Sequence, residues 1–378
     1  YFPTFDLNGN LTNFFLVVTN SDDKKGFVKQ GNERVIEARL RDAKFFWEKN
    51  KSQNLIKQVG SLKSINFFKK LGSLFQKVQR IKKLGSQISD QLNFNKEKIE
   101  IAASICKVDL LSDLVGEYPE LQGVMGSYFA KEQGFEDDIS QAIQEHYLPV
   151  GLDSKIPKKA TSVALAIVDK LDTLVGFFGI YEKPTSSKDP FALRRAAFGI
   201  VRIIIENNLK LNLKDLINYS INLYTDQKFK FSNKSISSDL TAFFRERVKN
   251  YLKDKKIRSD IIEASISTHT LNDFFLLFKK CQMLNKSIDK DVGKNALASY
   301  KRVSSILDQE IKKNNLIIKG NPDSILFKKD EEKILFEEIN GIRKYLTSNF
   351  KNENYEKTLE IFANSKKNTD NFFSSSFL

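Results

Sequence analysis

Histidine and cysteine are almost missing from this chain, with two of each in 378 residues. Cys106 and Cys281 lie far apart, which argues against a disulfide framework or a cysteine-based zinc site and suits a reducing cytoplasm. His146 and His269 are equally distant, so the spacing offers no metal-ligand cluster, and His146, at a helix end, reads as a packed or capping residue before a ligand. Only 7 prolines and 17 glycines interrupt the chain, which favours long helices over a β-sandwich. No apolar run approaches the ~18–20 residues of a membrane helix, because Asp169 breaks VALAIV, and no stretch reads as a secretory leader, so none is expected. The phosphate loop GxxxxGK[ST] and a GxGxxG after a strand are both absent. No Ser or Cys has a His base nearby in sequence, although such partners need only meet in space. Little here can activate a substrate unaided.

What remains is globular: 41% of residues are hydrophobic and 29% charged, enough for two or three domains with buried cores. The net charge is +14. Most of the excess is lysine, scattered rather than blocked, which fits either a solvated basic surface or a polyanionic partner, RNA first among them.

The chain begins with two short strands around Asn8-Gly9, a tight-turn dipeptide, of which LTNFFLVVTN is the clearest. They read as the tail of an upstream β-containing domain, so a missing N-terminal part is expected. From Asn32 the spacing of Val35, Leu40, Ala43 and Phe46-Trp47 predicts a helix. FFKKLGSLFQKVQRIKKLGSQISDQL predicts another, with Leu74, Val78 and Ile81 inward and its lysines and arginines outward. Short helices follow as far as Pro149. The densest apolar stretch is Thr161 to Asn208, two helical runs either side of a loop that ends in Asp189-Pro190. Asp189 is expected as the N-cap of the second run and Pro190 as its first residue. Asp169 and Asp172, three apart, share a face of the first run, and carboxylates in so apolar a helix need partners. Arg194 and Arg195 open the second run; Arg195 and Arg202, seven apart, share a face. Further helices continue to the end, with a loop at Gly320 to Lys328. The terminal NTDNFFSSSFL offers neither a cap nor a final helix, and a cut or altered C-terminus is expected there.

Several of these stretches, in order, resemble one family. FPTFDLNGNLTNFFLVVTN, GNERVIEARLRDAKFFW, KVDLLSDLVGEYPELQGVMGSYFA, AIQEHYLP, ALAIVDKLDTLVGFFGI, SKDPFALRRAAFGIVRII and ALASYKRVSSIL are similar to the β subunit of the bacterial tetrameric glycyl-tRNA synthetase. KDPFALRRAA and ELQGVMG are the most specific of them. The resemblance implies a mainly all-α fold: residues 1–31 a β remnant, 32–208 an HD-like helical domain, 209–255 connecting helices, and 256–378 a helical-bundle anticodon-binding domain like that of arginyl-tRNA synthetase, truncated at its C-terminus. It also implies a cytoplasmic α2β2 tetramer in which glycine activation, with ATP and Mg, belongs to the α subunit, and the β subunit binds tRNA-Gly without a cofactor, catalytic residue or metal of its own. Phe244-Arg245-Glu246 looks like the ATP motif of class II synthetases, but it falls in a helical segment without antiparallel strands, so chance explains it better.

Active HD phosphohydrolases hold metal with an upstream His, a His-Asp doublet and a later Asp. By resemblance the doublet stands here as Val108-Asp109 and the later acid as Asp169, with the doublet's histidine gone. Two carboxylates without imidazoles make a poor transition-metal site. Asp109 and Asp169 are therefore expected to be structural, paired with Lys107, Arg194 or Arg195. A metal-dependent HD-type phosphohydrolase is the alternative function, and a general basic RNA-binding scaffold is a third. For tRNA the expected contacts are Arg194, Arg195 and Arg202 near the key helix and Tyr300, Lys301 and Arg302 in SYKRVSS, with phosphates setting affinity and exposed bases stacking on aromatics.

Overall fold

The computed structural model describes residues 1–20, 22–185, 187–231, 233–267, 272–314, 320–349 and 355–376, so His269 falls outside the described residues. The fold is mainly all-α, as a chain poor in helix breakers predicts. It divides into two units, one of Tyr1–Asp172 and Leu223–Phe229, the other of Thr173–Asn222 and Lys230–Leu378.

The first unit opens with the expected hairpin. Phe2–Phe5 pairs antiparallel with Leu11–Leu16. The turn between them places Gly9 at φ 82°, and the Asp6 carboxylate accepts the N–H groups of Asn8 and Asn10 at 2.9 and 2.8 Å. The helix that follows spans Phe27–Lys51. It starts five residues before Asn32 because Asp23 accepts the N–H groups of Val28 and Lys29, supplying the cap.

The segment expected as one helix from Phe67 begins instead as a small hairpin, Asn66–Phe68 with Gly72–Ser73. The helix itself is Leu74–Leu92, started by a capping box between Ser73 and Gln76. Val78, Ile81, Leu84 and Ile88 are buried along it, and it packs on the Lys96–Ile105 helix. The Val124–Glu132 and Asp137–Glu145 helices pack together, and Trp47 stacks on Phe129 with ring centroids 5.5 Å apart. The Ala160–Gly179 helix is fully buried from Val163 to Leu171 apart from small exposures at Asp169 and Lys170.

In the second unit the Leu193–Glu206 helix packs on the Ile236–Asp254 and Phe274–Ser287 helices. Its start corrects the expected cap. Ala192, at φ 55°, is the N-cap residue, and Asp189 lies further back in the turn while its carboxylate accepts the N–H groups of Leu193 and Arg194 at 2.8 and 2.9 Å. Asp189 thus satisfies the first orphan donors from outside the helix, and Pro190 is a turn residue. The C-terminal part holds the Asp291–Asn314, Asp330–Asn349 and Tyr355–Asn364 helices, and a last helix, Lys366–Ser376, where none was expected. Its serine-rich sequence has little propensity of its own; packing on Asp291–Asn314 and Asp330–Asn349 holds it.

Two glycines on helices separate space from propensity. A Cβ on Gly85 would meet Ile99 Cγ2 at 2.7 Å, whereas one on Gly31 meets nothing within 4 Å. Gly85→Ala is therefore expected to lower the thermal midpoint, with an overpacking cost of about 1–3 kcal/mol. Gly31→Ala is expected to raise it by the helix propensity gained, roughly 0.5–1 kcal/mol. Circular dichroism melts of both variants check the pair.

Candidate functional site

The densest chemistry lies inside the first unit, where two helices present matched pairs. Lys77 and Arg80, three apart on Leu74–Leu92, meet Asp169 and Asp172, three apart on Ala160–Gly179. Arg80 Nε donates to Asp172 Oδ1 at 2.6 Å and its Nη2 to Oδ2 at 3.1 Å, in a bidentate fork. Its other donors reach Gln227 Oε1 at 2.7 Å and the Tyr224 hydroxyl at 3.0 Å, and the guanidinium lies 3.7 Å over the Tyr224 ring. Asp172 and Arg80 are 0% and 1% exposed, so each charge depends on the other for its solvation. Burial opposes the Arg80 charge, yet Asp172 and Tyr224 hold its pKa above the ordinary value; burial raises that of Tyr224.

Beside this fork sits a second centre on Asp169. Lys77 Nζ is 3.1 Å from Oδ1 and Lys107 Nζ 3.2 Å from Oδ2, while Lys77 also bridges to Asp172 Oδ2 at 3.2 Å. Burial disfavours the Asp169 carboxylate, but Lys107 and Lys77 override it and hold the carboxyl well below its usual range. His146 is packed in the core. Its Nδ1 lies 2.6 Å from the Ile143 carbonyl and must donate, which leaves Nε2 to accept from Lys107 at 2.8 Å. Burial and then Lys107 keep this imidazole neutral, far below its ordinary pKa.

Two buried lysines show opposite behaviour. Burial works against Lys107, but contact with Asp169 raises its pKa. Lys170, next in sequence to Asp169, points elsewhere and donates to the carbonyls of His146 and Leu148 at 2.9 and 2.6 Å. Lacking a carboxylate in contact, it is lowered by burial to about 7. Tyr147 covers the centre: Lys107 Nζ lies 4.1 Å from its ring, and the same residue lines an open cavity of about 640 Å³ with Gln141, Glu145, Lys131 and Lys159.

Asp109 stands apart from these pairs. Its Oδ2 accepts the N–H groups of Gly123 and Gly126 at 2.5 and 3.3 Å, capping the Val124–Glu132 helix from outside. This explains the two glycines of ELQGVMG. Gly123 is at φ 80°, and a Cβ on Gly126 would press on Ile143 at 2.8 Å and on the Asp109 carboxylate at 3.1 Å. Burial raises the Asp109 pKa, and its Oδ1 has no hydrogen-bond partner.

A divalent ion does not fit this centre. Both Asp169 oxygens and the free nitrogen of His146 are taken by ammonium groups, and no group of three His, Cys, Asp or Glu side chains converges among the described residues. Cys106 is buried beside it with its thiol pushed up to about 12 by burial, so it is no nucleophile.

The residues expected at RNA lie in the second unit, on two helices. Arg194 is half-buried and donates to the Thr185 carbonyl; Arg195 is exposed. Arg202 forks onto Glu206 at 2.9 and 3.3 Å, one turn along. On Asp291–Asn314, Tyr300 is 70% exposed and Lys301 is exposed, while Arg302 pairs with Asp370 at 2.8 Å over the Phe373 ring. Phe244 of the Phe-Arg-Glu triplet is buried in the Ile236–Asp254 helix.

Lys77, Arg80, Lys170 and Tyr224 are the residues the sequence reading passed over. Lys77 falls three after Leu74 and four before Ile81, on the inward arc, so helical phase marked it although residue type did not.

The glycyl-tRNA synthetase beta subunit family model matches residues 1–267. The chain belongs to the glycyl-tRNA synthetase beta-subunit family. It is 40% identical over 375 residues to the glycine-tRNA ligase beta subunit of Rickettsia conorii, covering 99% of this chain and 53% of that protein. The beta subunit of Rhodospirillum centenum is 38% identical over 325 residues, 85% of this chain and 45% of that protein. The chain thus spans about half the length of the curated relatives it matches.

Two outcomes are expected of the network. Asp172→Asn strands the Arg80 charge and should lower stability by about 3–5 kcal/mol, whereas Asp172→Leu with Arg80→Met should recover most of it; urea melts of the single and double variants measure this. The Lys170 ammonium titrates near 7 when folded and at 10.5 when free. Between these values the unfolded chain holds a proton that the folded chain lacks, so this group makes stability rise with pH across that window. Lys170→Met should flatten the rise in thermal midpoint from pH 7 to 10.

Proposed function

We propose that this chain is the tRNA-binding portion of a glycine-tRNA ligase beta subunit, inert in glycine activation without a separate alpha subunit that carries ATP, Mg and the chemistry. The observation that carries this reading is the 40% identity over 99% of the chain to a glycine-tRNA ligase beta subunit, with the family model matching residues 1–267. The buried centre fits it: both Asp169 oxygens face lysine ammonium groups and Asp172 is forked by Arg80. Asp109 and Asp169 then act as structure, one as a helix cap and one as an ion-pair hub. Binding falls to the cationic side chains of the second unit, with Arg194, Arg195 and Lys301 at phosphates and exposed Tyr300 free to stack on a base. Arg202 and Arg302, already paired within the chain, serve by bracing their helices or by exchanging partners. The assembled enzyme would be an α2β2 cytoplasmic tetramer; no helix among the described residues is long and apolar enough to cross a membrane.

The alternative, a metal-dependent HD-type phosphohydrolase, is disfavoured by the ammonium groups that occupy the Asp169 oxygens. Co-purification with an alpha subunit followed by aminoacylation tests the proposal. Glycylation of tRNA-Gly is expected only with both chains present. Glycine-dependent ATP–pyrophosphate exchange by this chain alone would overturn the division of labour, and metal-dependent phosphoester hydrolysis abolished by Asp169→Ala would restore the alternative.

A further inference from the structure

The open cavity of about 640 Å³ in the first unit lies within the size range of small-ligand pockets. Consecutive stretches of the chain build it. The Val124–Glu132 helix supplies Val124 and Lys131, the Asp137–Glu145 helix supplies Gln144, and the segment after it supplies Tyr147, Leu148 and Val150. That last segment is fixed from behind. Lys170, 8% exposed and with no carboxylate in contact, donates to the carbonyls of His146 and Leu148 at 2.9 and 2.6 Å. Lys107 Nζ lies 4.1 Å from the Tyr147 ring, and a Cβ on Gly123 would meet that ring at 2.9 Å. Burying an ammonium group to hold two carbonyls is costly, and a wall held that firmly is organised before any ligand arrives.

The polar groups on the same lining divide into engaged and free. Gln141 donates to Glu145 at 2.7 Å and Lys159 to Asp138 at 2.9 Å, whereas the side chains of Gln122, Lys131 and Gln144 make no hydrogen bond or ion pair among the described residues. Apolar walls beside free carboxamides suit a flat molecule with apolar faces and a polar edge. A carboxamide pairs through two hydrogen bonds with N6 and N7 of adenine. One free ammonium suits one phosphate. Asp137 and Glu145 balance Lys131 and Lys159 on the lining, so a di- or triphosphate would meet no excess of positive charge. We infer that this cavity takes one unstacked adenine nucleotide of an RNA strand, its base against Tyr147 and Leu148, its edge on Gln122 and Gln144, and its phosphate at Lys131. The inference rests on the RNA-binding reading and gives the first unit a part in it. An RNA strand is favoured as the source because its unpaired bases splay out and are read on their edges, and its phosphodiester carries the single charge that one ammonium matches.

The test measures, by fluorescence anisotropy with the full chain, binding of short labelled oligoriboadenylate and oligoribouridylate strands of equal length, and of a tRNA-Gly transcript. The parent should bind the adenylate about fivefold or more tightly than the uridylate, the low end of what one bidentate pair discriminates. Gln122→Ala combined with Gln144→Ala should bring the two affinities together. Lys131→Gln should weaken both and lower the slope of log affinity against log salt by about 0.7, the single-strand value for one phosphate. These side chains bond nothing else among the described residues, so the variants should melt with the parent. Equal affinity of the parent for the two strands, or a preference that survives the double alanine variant, would overturn the inference. Adenosine monophosphate that competes as well as the strand does would assign the cavity to a free nucleotide and overturn the RNA source. Binding of the transcript without any adenylate preference would sink the inference and leave the tRNA reading standing. Failure of the parent to bind the transcript or either strand would overturn both.

Discussion

The Asp172 carboxylate, with no exposed surface, is the constraint around which the first unit is arranged. Once it is dry, its geometry must be complete, and it is: Arg80 forks onto both oxygens, Lys77 adds a third contact, and the Tyr224 hydroxyl lies 3.3 Å from Oδ2. Such a cluster adds less net stability than apolar packing of equal volume would, because desolvation offsets most of its attraction. Its effect is on alternatives. A helix register that left Asp172 or Arg80 buried without the other would be several kcal/mol worse, on the order of the 3–5 known for broken buried pairs. The Leu74–Leu92 and Ala160–Gly179 helices can therefore meet in one register, and that register brings Lys77 to Asp169.

Around Asp169 the same logic removes chemistry. A carboxylate, an imidazole with its Nε2 lone pair turned inward and a protected interior are ingredients of a metal site, but the electropositive centre is supplied by side chains. An ammonium group differs from a bound divalent ion in one respect that matters: it has no vacant coordination position and polarises no water into a nucleophile. The neutral His146 and the ion-paired Asp169 thus face the protein's own ammonium groups. On the reading proposed above, binding falls to the surface, where Arg195, Tyr300 and Lys301 are exposed.

Much of this architecture was legible in the residues. Sparse proline and glycine gave long helices, Asn8-Gly9 gave the hairpin, and family-like stretches such as KDPFALRRAA gave the family. The three-residue spacing of Asp169 and Asp172 marked a face that needed partners. Lys107 was expected beside Asp169 and lies there at 3.2 Å, but Lys77 and Arg80 were passed over because lysine and arginine on an amphipathic helix were read as solvent-facing by type, although Lys77 shares the phase of Leu74 and Ile81. Asp189 was recognised as a cap, yet a left-handed Ala192 moved the helix start three residues beyond Pro190, a turn geometry that composition does not encode. The last helix was missed because its stability comes from neighbours far away in sequence.

The first unit is discontinuous, closing only when Leu223–Phe229 returns to it. Arg80 hydrogen-bonds across 92 positions to Asp172, 144 to Tyr224 and 147 to Gln227. At roughly 5–20 residues per second, a ribosome extrudes the Leu74–Leu92 helix on the order of ten seconds before the last of these partners exists. The ion partners of Lys77 and Arg80, Asp169 and Asp172, are made before Thr173, but two of the Arg80 donors have no acceptor in place until Tyr224 and Gln227 follow. Arg80 therefore ties completion of the first unit to a segment made only after the intervening stretch from Thr173 to Asn222.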